Sequence, residues 1–532
     1  MSHFSLQKSL RALRPSHGLA ATLFAVQAGS ASAIVVDLDR VRALHESPAP
    51  HVEQVMLTTL VEADPDLAFE TAFEIGDELF ETVFNAIDGV GANVGNGQRF
   101  TRMPRADLRG GTEWFNHRPA RASGPNAENC NACHNLPFDD GAGNASANIH
   151  RDPKRSGQMA QIIQRNAPHV FAPGAIQRLA EEMTADLHKI RSETIASVCA
   201  TGSTRSARLE AKGVSFGSIS VSRERTRGRE CRTNVSTAEV RGVDADLVIK
   251  PFQWKGNTAS LRDFNRGASH NELGMQAIEL VGAGVDGDFD GVSDEMTIGD
   301  QTALAVYLAA QPRPTTLLEL DGLGLLETPL TSEQKSRIER GAGLLRSTSL
   351  GCVSCHKGTL TLDDPIFSEP SQSAAYRDAV FPAGQDPVRE GVDPRRAVRF
   401  DLTQDQPDNH VLNPDGTLRF RLGSLRVDPT SGKALVDLGG DLKRHDIGRG
   451  LAEVIDETGT GASVFLTENL WGVGSTAPYL HDGRATTLTE AILEHGGEAA
   501  NSKTAFTRLG TQQQADVIAY LENLVLFKLP ED

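Results

Sequence analysis

A mainly α-helical chain in two similar halves is what this sequence predicts, and three observations predict it. The pentapeptide "CNACH" at 130–134 returns as "CVSCH" at 352–356. Each copy follows a run of apolar residues at helical spacing, "FETAFEIGDELFETVFNAI" (69–87) and "SEQKSRIERGAGLLRSTSLG" (332–351). Each half then closes on a second such run, "DQTALAVYLAAQ" (300–311) and "QQQADVIAYLENLVLF" (512–527).

The elements follow in chain order. Lys8, Arg11 and Arg14, then the short apolar "GLAATLFAVQA", then Ala31-Ser32-Ala33 read as a cleavable signal peptide over 1–33. That predicts a periplasmic or secreted protein, and no other run is long enough to span a membrane. Residues 34–69 are a lead-in. The first half covers 70–315 and is swollen by an insertion, 155–245, within which the stretch 199–231 reads as a polar, Arg-rich loop with little apolar content. "PRPTT" (312–316) reads as the linker, because proline ends one helix and disfavours another. The second half covers 316–532, and "TSEQ" (331–334) has the form of a capping box at its first helix.

Composition narrows the partners. Of 532 residues 39% are hydrophobic and 23% charged, as in globular proteins. Residues 1–33 carry three Lys/Arg and no Asp/Glu, so their removal takes the net charge from −17 to −20. So acidic a surface argues against nucleic acid as a partner and suits a basic redox protein.

Four of the six cysteines lie in the CxxCH motifs. The spacing lets two thiols add across the vinyl groups of one porphyrin while the adjacent histidine binds iron. Zinc would need paired motifs in register, and 222 residues separate these two. Two covalent hemes c are therefore expected, attached through Cys130 and Cys133 and through Cys352 and Cys355, with His134 and His356 as axial ligands. Helix, motif, long loops and closing helix is also the order of a cytochrome c domain. Cys199 and Cys231 remain, and in an exported chain they read as a disulfide. "DGDFDGVSDE" (286–295) copies the start of a calcium loop, with Asp286, Asp288, Asp290 and Asp294 as candidate ligands. Thr297 stands where the closing glutamate of a full loop would be.

Three stretches resemble the bacterial di-heme cytochrome c peroxidases and their relatives, among them the di-heme oxidoreductases and the rubber oxygenases. The first is "LWGVGSTAPYLHDGRATTLTEAILEHGG" (470–497). Its likeness to the family implies His495 as the sixth ligand of the C-terminal heme, where the relatives usually have Met. A heme between His356 and His495 has no open position and carries electrons only. The second is "FQWKGNTASLRDFNRGASHNELGM" (252–275), in which Trp254 matches the family's tryptophan between the hemes, an electron relay. Here the chain departs from the peroxidases: Phe264 replaces a glutamine, and Gly274 replaces the acid/base glutamate. Glu272 and His270 are the nearby candidates for that lost role, and Phe264 fits the apolar pocket of an oxygenase. The third is "HNLPFDDGAGNASANIHRDP" (134–153), where the resemblance makes His150 a candidate removable ligand of the N-terminal heme.

The resemblance implies an exported di-heme peroxidase that reduces hydrogen peroxide at the N-terminal heme, fed by a cytochrome c or cupredoxin through the C-terminal one. The alternatives are a dioxygen-activating oxygenase and a pure electron-transfer cytochrome.

Overall fold

The structure is a computed structural model that describes residues 48–92, 120–224, 230–377, 380–404 and 406–529. The signal peptide (1–33) and residues 34–47 of the lead-in lie outside the described residues. Helix α1 (Gln54–Ala63) turns at Asp64 into α2 (Pro65–Glu81). The Asp64 carboxylate accepts from the Leu67 amide, and Pro65 fills the first helical position, where no amide hydrogen is needed. Residues spaced by three and four, Phe69, Ala72, Phe73, Gly76 and Phe80, form the buried face of α2.

The predicted insertion is not a loop, and this corrects the mainly α expectation as well. Strands β1 (Ile149–Arg151) and β2 (Ile163–Arg165) pair antiparallel. They are followed by α3 (Pro173–Thr201), a 29-residue helix that buries Ile176, Leu179, Met183 and Leu187 along one stripe. An antiparallel sheet comes next: β3 (Arg205–Ala211), β4 (Val214–Arg223) and β5 (Thr233–Val240). Leu209, Val214, Phe216, Ile219 and Val221 point inward from it. Arg205, Arg208 and Arg223 stand on the opposite, solvated positions of these strands, and residues 225–229 lie outside the described residues. Period-two alternation lay beneath the charge, and it decided the structure. The Cys199–Cys231 disulfide joins the end of α3 to the start of β5, with a Cα–Cα distance of 5.7 Å. Among the described residues sixteen short strands form five two-stranded and two three-stranded sheets, so the fold is mixed rather than mainly helical.

Helix α4 (Leu261–Ala268) runs into a single π turn at Ser269–Leu273. Then comes α5 (Ile298–Ala309), capped by a reciprocal Thr297–Asp300 box and buried on every side from Gly299 to Ala309. In the second half, α6 (Ser332–Leu345) starts at the expected Thr331–Gln334 capping box. Among the helices that follow are α7 (Leu488–Glu494) and α8 (Thr511–Glu522). The internal repeat is visible in packing. At Gly76 on α2 an added Cβ would run into the Ala303 carbonyl of α5, and at Gly341 on α6 it would run into the Asp516 carbonyl of α8. In each half the helix before CxxCH thus lies against the closing helix through a glycine.

The halves do not divide the core as the sequence divides the chain. One continuous cluster joins Phe73 and Leu304 to the insertion (Phe216) and to strand residues Leu362, Phe400 and Val436. A smaller cluster sits between α6 and α8, around Leu345, Leu350, Phe506 and Leu521. Residues 312–316 are correspondingly no free linker: Arg313 and Thr315 are buried, and Thr315–Thr316 pairs with Leu524–Val525.

Candidate functional site

Two cavities open beside the two CxxCH motifs. In the C-terminal one, Gly351 in a left-handed conformation (φ 77°) leads into a tight turn at Cys352–Ser354, placing Cys352, Cys355 and His356 on the cavity wall. His356 donates from Nδ1 to the Gly439 carbonyl at 3.0 Å. His495, at the C-cap of α7, donates from Nδ1 to the Ala491 carbonyl at 2.8 Å. A carbonyl can only accept, so both bonds fix the tautomer that leaves Nε2 bare for a metal. The ring centroids are 6.4 Å apart. A metal–imidazole bond of about 2 Å on each side, added to the reach from ring centre to nitrogen, spans that gap. Burial pushes His356 down to about 4 and lowers His495 as well, which keeps both rings neutral, as metal binding requires. Thiol pair, fixed tautomers and ring spacing all fit a heme with two histidine ligands.

The N-terminal cavity is built differently. Asn129 caps the turn Cys130–Ala132, and Cys133 and His134 line the wall. Burial lowers the His134 pKa, opposed by the charge of Asp140 and by the Gly141 and Pro168 carbonyls. The same thiol–thiol–imidazole set is present, so a heme fits here too. The rest of the wall comes from α4 and the π turn: Leu261, Phe264, Gly267, Ala268, Asn271 and Glu272. Phe264 packs on Phe252 at 6.2 Å and makes this side apolar. Glu272 brings a carboxyl into the cavity, and its Oε2 has no hydrogen-bond partner. Burial pushes it up to about 7, with Arg151 and Arg121 pulling the other way. Glu272 lies within the π turn itself, in the wall of the cavity.

Trp254 lines both cavities. Its indole N–H donates to the Asn166 carbonyl at 2.8 Å, and its ring meets His481 edge-on at 6.5 Å. Two expectations fare less well. His150 lies on β1 between Ile149 and Arg151, both of which line the N-terminal cavity; on a strand its side chain points the other way. His270 is buried but lines neither cavity, its carbonyl instead accepting from Arg121.

Sequence reasoning missed the partition between the cavities. Asn166–His169, Leu466, Glu468 and Asn469 line both. His169 is pinned, donating from Nε2 to the Trp471 carbonyl and accepting at Nδ1 from the Phe171 amide. Burial pushes Glu468 up to about 7. No local motif marks these residues, because tertiary folding alone brings them between the two motifs. The acidic loop lies apart. Asp286, Asp288 and Asp290 bring carboxylate oxygens within 4.8 Å of one another. Asp294 is not in that group and accepts from the Gly284 amide.

Residues 433–524, which include His495 and part of the C-terminal cavity's wall, match the family described as "Di-haem oxidoreductase, putative peroxidase". The chain is similar to the di-haem oxidoreductases. Two solved structures are also similar to the chain. Hydrazine synthase of Kuenenia stuttgartiensis, pressurized with xenon, is 19% identical over 59% of this chain and 78% of its own, with a TM-score of 0.23. A MauG-like protein associated with microbial copper homeostasis is 15% identical over 55% of this chain and 76% of its own, with a TM-score of 0.25. At those TM-scores neither bears on this fold. No curated protein matches the chain. Among the described residues no helix is long and apolar enough to cross a membrane.

Proposed function

We propose that this is an exported di-heme c-type oxidoreductase of the peroxidase kind. It reduces hydrogen peroxide at a heme held by Cys130, Cys133 and His134. Electrons reach it through a second heme held by Cys352, Cys355, His356 and His495. The observation that carries the reading is the asymmetry of the cavities. A second imidazole faces His356, whereas the cavity of His134 has Glu272 and Phe264 in its wall.

Heme in the N-terminal cavity supplies an iron that binds and oxidises; the chain supplies the rest. Glu272 takes a proton from one peroxide oxygen and returns it to the leaving one, the task of the glutamate that Gly274 replaces. Its pKa of about 7 populates both forms near neutrality. Phe264 and Phe252 exclude water from one side. Trp254, in the wall of both cavities, relays electrons between them. One peroxide, two protons and two electrons give two waters, and the electrons come from a small redox protein, a cytochrome c or cupredoxin, suited to the acidic surface.

The same Phe264–Phe252 contact favours a second reading, a dioxygen-activating oxygenase with an apolar substrate. A pure electron-transfer cytochrome, with both hemes six-coordinate, is the third reading. Electron paramagnetic resonance of the ferric protein, followed by turnover assays, separates the three. One high-spin and one low-spin signal with peroxide-dependent oxidation of reduced cytochrome is expected. Oxygen-dependent product without peroxide turnover would establish the oxygenase, and two low-spin signals surviving half-reduction would leave electron transfer alone.

A further inference from the structure

The wall of the C-terminal cavity holds a buried histidine that the ligand set does not use. His445 lies on a short strand, Arg444–Asp446, and lines the cavity beside Cys355. The Cys355 sulfur, an Asp441 carboxylate oxygen and a His445 ring nitrogen lie within 4.8 Å of one another. His445 Nε2 is 2.9 Å from Asp441 Oδ2, and its Nδ1 is 2.8 Å from Glu498 Oε2. Ionised carboxylates only accept hydrogen bonds, so both ring nitrogens donate and the ring is an imidazolium. Burial opposes that charge, but the bonds to Asp441, Cys355 and Glu498 hold its pKa up at about 10.

The two carboxylates belong to the two segments that present the axial histidines. Asp441 is 1% exposed and follows closely on Gly439, whose carbonyl accepts from His356 Nδ1. Its other oxygen accepts from the Lys443 amide at 3.1 Å, which closes that turn on itself. Glu498 follows closely on His495. Its other oxygen accepts from the Asp446 amide at 3.0 Å, so it grips both the ring of His445 and the backbone of the next residue. Two glycines let the chains meet there: a Cβ on Gly448 would lie 2.6 Å from the Gly497 amide nitrogen. A short, continuous path thus runs from one axial imidazole to the other, through Gly439, Asp441, His445 and Glu498.

We propose that His445 is a positioning residue: bonded to Asp441 and Glu498, it ties the segment that orients His356 to the segment that carries His495, and so keeps the iron of the C-terminal heme closed. The inference rests on the reading of His356 and His495 as two ligands of one heme. Groups beyond the ligands fix how a metal-binding imidazole stands. The two rings are 6.4 Å apart and inclined at 55°. Gly496 and Gly497, between His495 and Glu498, resist a shift of that geometry poorly. The restraint therefore comes from the bonds of Glu498 to the His445 strand. An iron kept closed in this way passes electrons without competing for the peroxide bound beside His134.

The test uses the heme-loaded protein and carbon monoxide, which binds only ferrous iron with a vacant position. Fully reduced His445→Leu should take up one more carbon monoxide per chain than the unaltered protein. Its ferric form should convert part of the low-spin signal into a high-spin one. Leucine leaves Asp441 without its partner and risks misfolding, so Glu498→Ala is the second variant. That side chain is 55% exposed, and its loss cuts the path on the His495 side alone. It should show the same extra uptake. Because both substitutions break one link, the double variant should lose no more low-spin signal than the worse single one. Native uptake and a native low-spin signal in both single variants overturn the proposal and leave an ion pair that only stabilises the fold. Losses that add in the double variant also overturn it. His495→Ala is the control for the underlying reading: extra uptake there, with none in the other two, sinks His445 alone, whereas no extra uptake there sinks the ligand assignment and His445 with it.

Discussion

The two cavities share a wall and differ in what faces the CxxCH histidine. Asn166–His169, Trp254 and Glu468 belong to both. Opposite His356 stands His495, its tautomer set by the Ala491 carbonyl. In the wall of the His134 cavity stand a phenyl ring and a carboxyl raised to about 7. The same Cys–Cys–His motif thus sits in two different surroundings, and the packed elements make the difference: α7 ends on a histidine, whereas α4 ends in a π turn that carries Glu272.

The strongest way to break this comparison is to make the cavities alike. His495→Ala should abolish the low-spin signal of the C-terminal heme and replace it with a high-spin one, and added imidazole should restore it. A low-spin signal that persists in the variant would assign the ligand elsewhere. Nearly as large is Glu272→Gln, for which kcat/KM for peroxide should fall about 10²–10⁴-fold, the usual worth of a positioned acid/base. The sign of the pH effect is set by burial. With the carboxyl raised from 4.5 to about 7, the base form grows as pH rises through 7, so turnover should climb across that value and the limb should vanish in the glutamine variant. An unchanged rate and profile would remove Glu272 from the chemistry.

How much of this was legible beforehand follows the same division. Some local features were readable: the CxxCH turns, the Thr331–Gln334 cap, the disulfide. His495 and Trp254 were readable only through likeness to a family. Glu272 was visible as a candidate, but nothing in the sequence marks the π turn that carries it. The insertion was misjudged because its arginines drew attention from the alternation of Leu209, Val214, Phe216, Ile219 and Val221 between them. For His150 the spacing from His134 does not decide the matter, because on a strand the alternation of side chains sets which way each one points. The partition at 166–169 had no signal at all.

The insertion bears on the comparison because only the N-terminal half carries it. Replacing Cys199 and Cys231 by serine should lower stability by about 2–4 kcal/mol, the usual contribution of a disulfide, measured by denaturant unfolding. Heme content and both spin signals should stay as they are, since neither cysteine lines a cavity. Loss of either heme would mean that the insertion supports a cavity after all.

The smallest effect sharpens the comparison most, because it uses the same substitution in both halves. Gly76 and Gly341 each let the helix before CxxCH lie against the closing helix, and a methyl at either meets a backbone carbonyl. Overpacking of this kind costs about 1–3 kcal/mol. The surroundings are unequal. Helix α5 is buried on all sides within the large core and cannot retreat, whereas α6 buries only Ile338, Gly341 and Leu345 and has room to shift outward. Gly76→Ala should therefore sit near the upper end of that range and Gly341→Ala near the lower, read as midpoints of denaturant unfolding. Because α2 also carries Phe80, whose ring lies 6.1 Å from that of His134, Gly76→Ala should broaden the high-spin signal and spare the low-spin one. Equal shifts in both variants would mean that the two halves respond as one core, and that their difference is confined to the cavity walls.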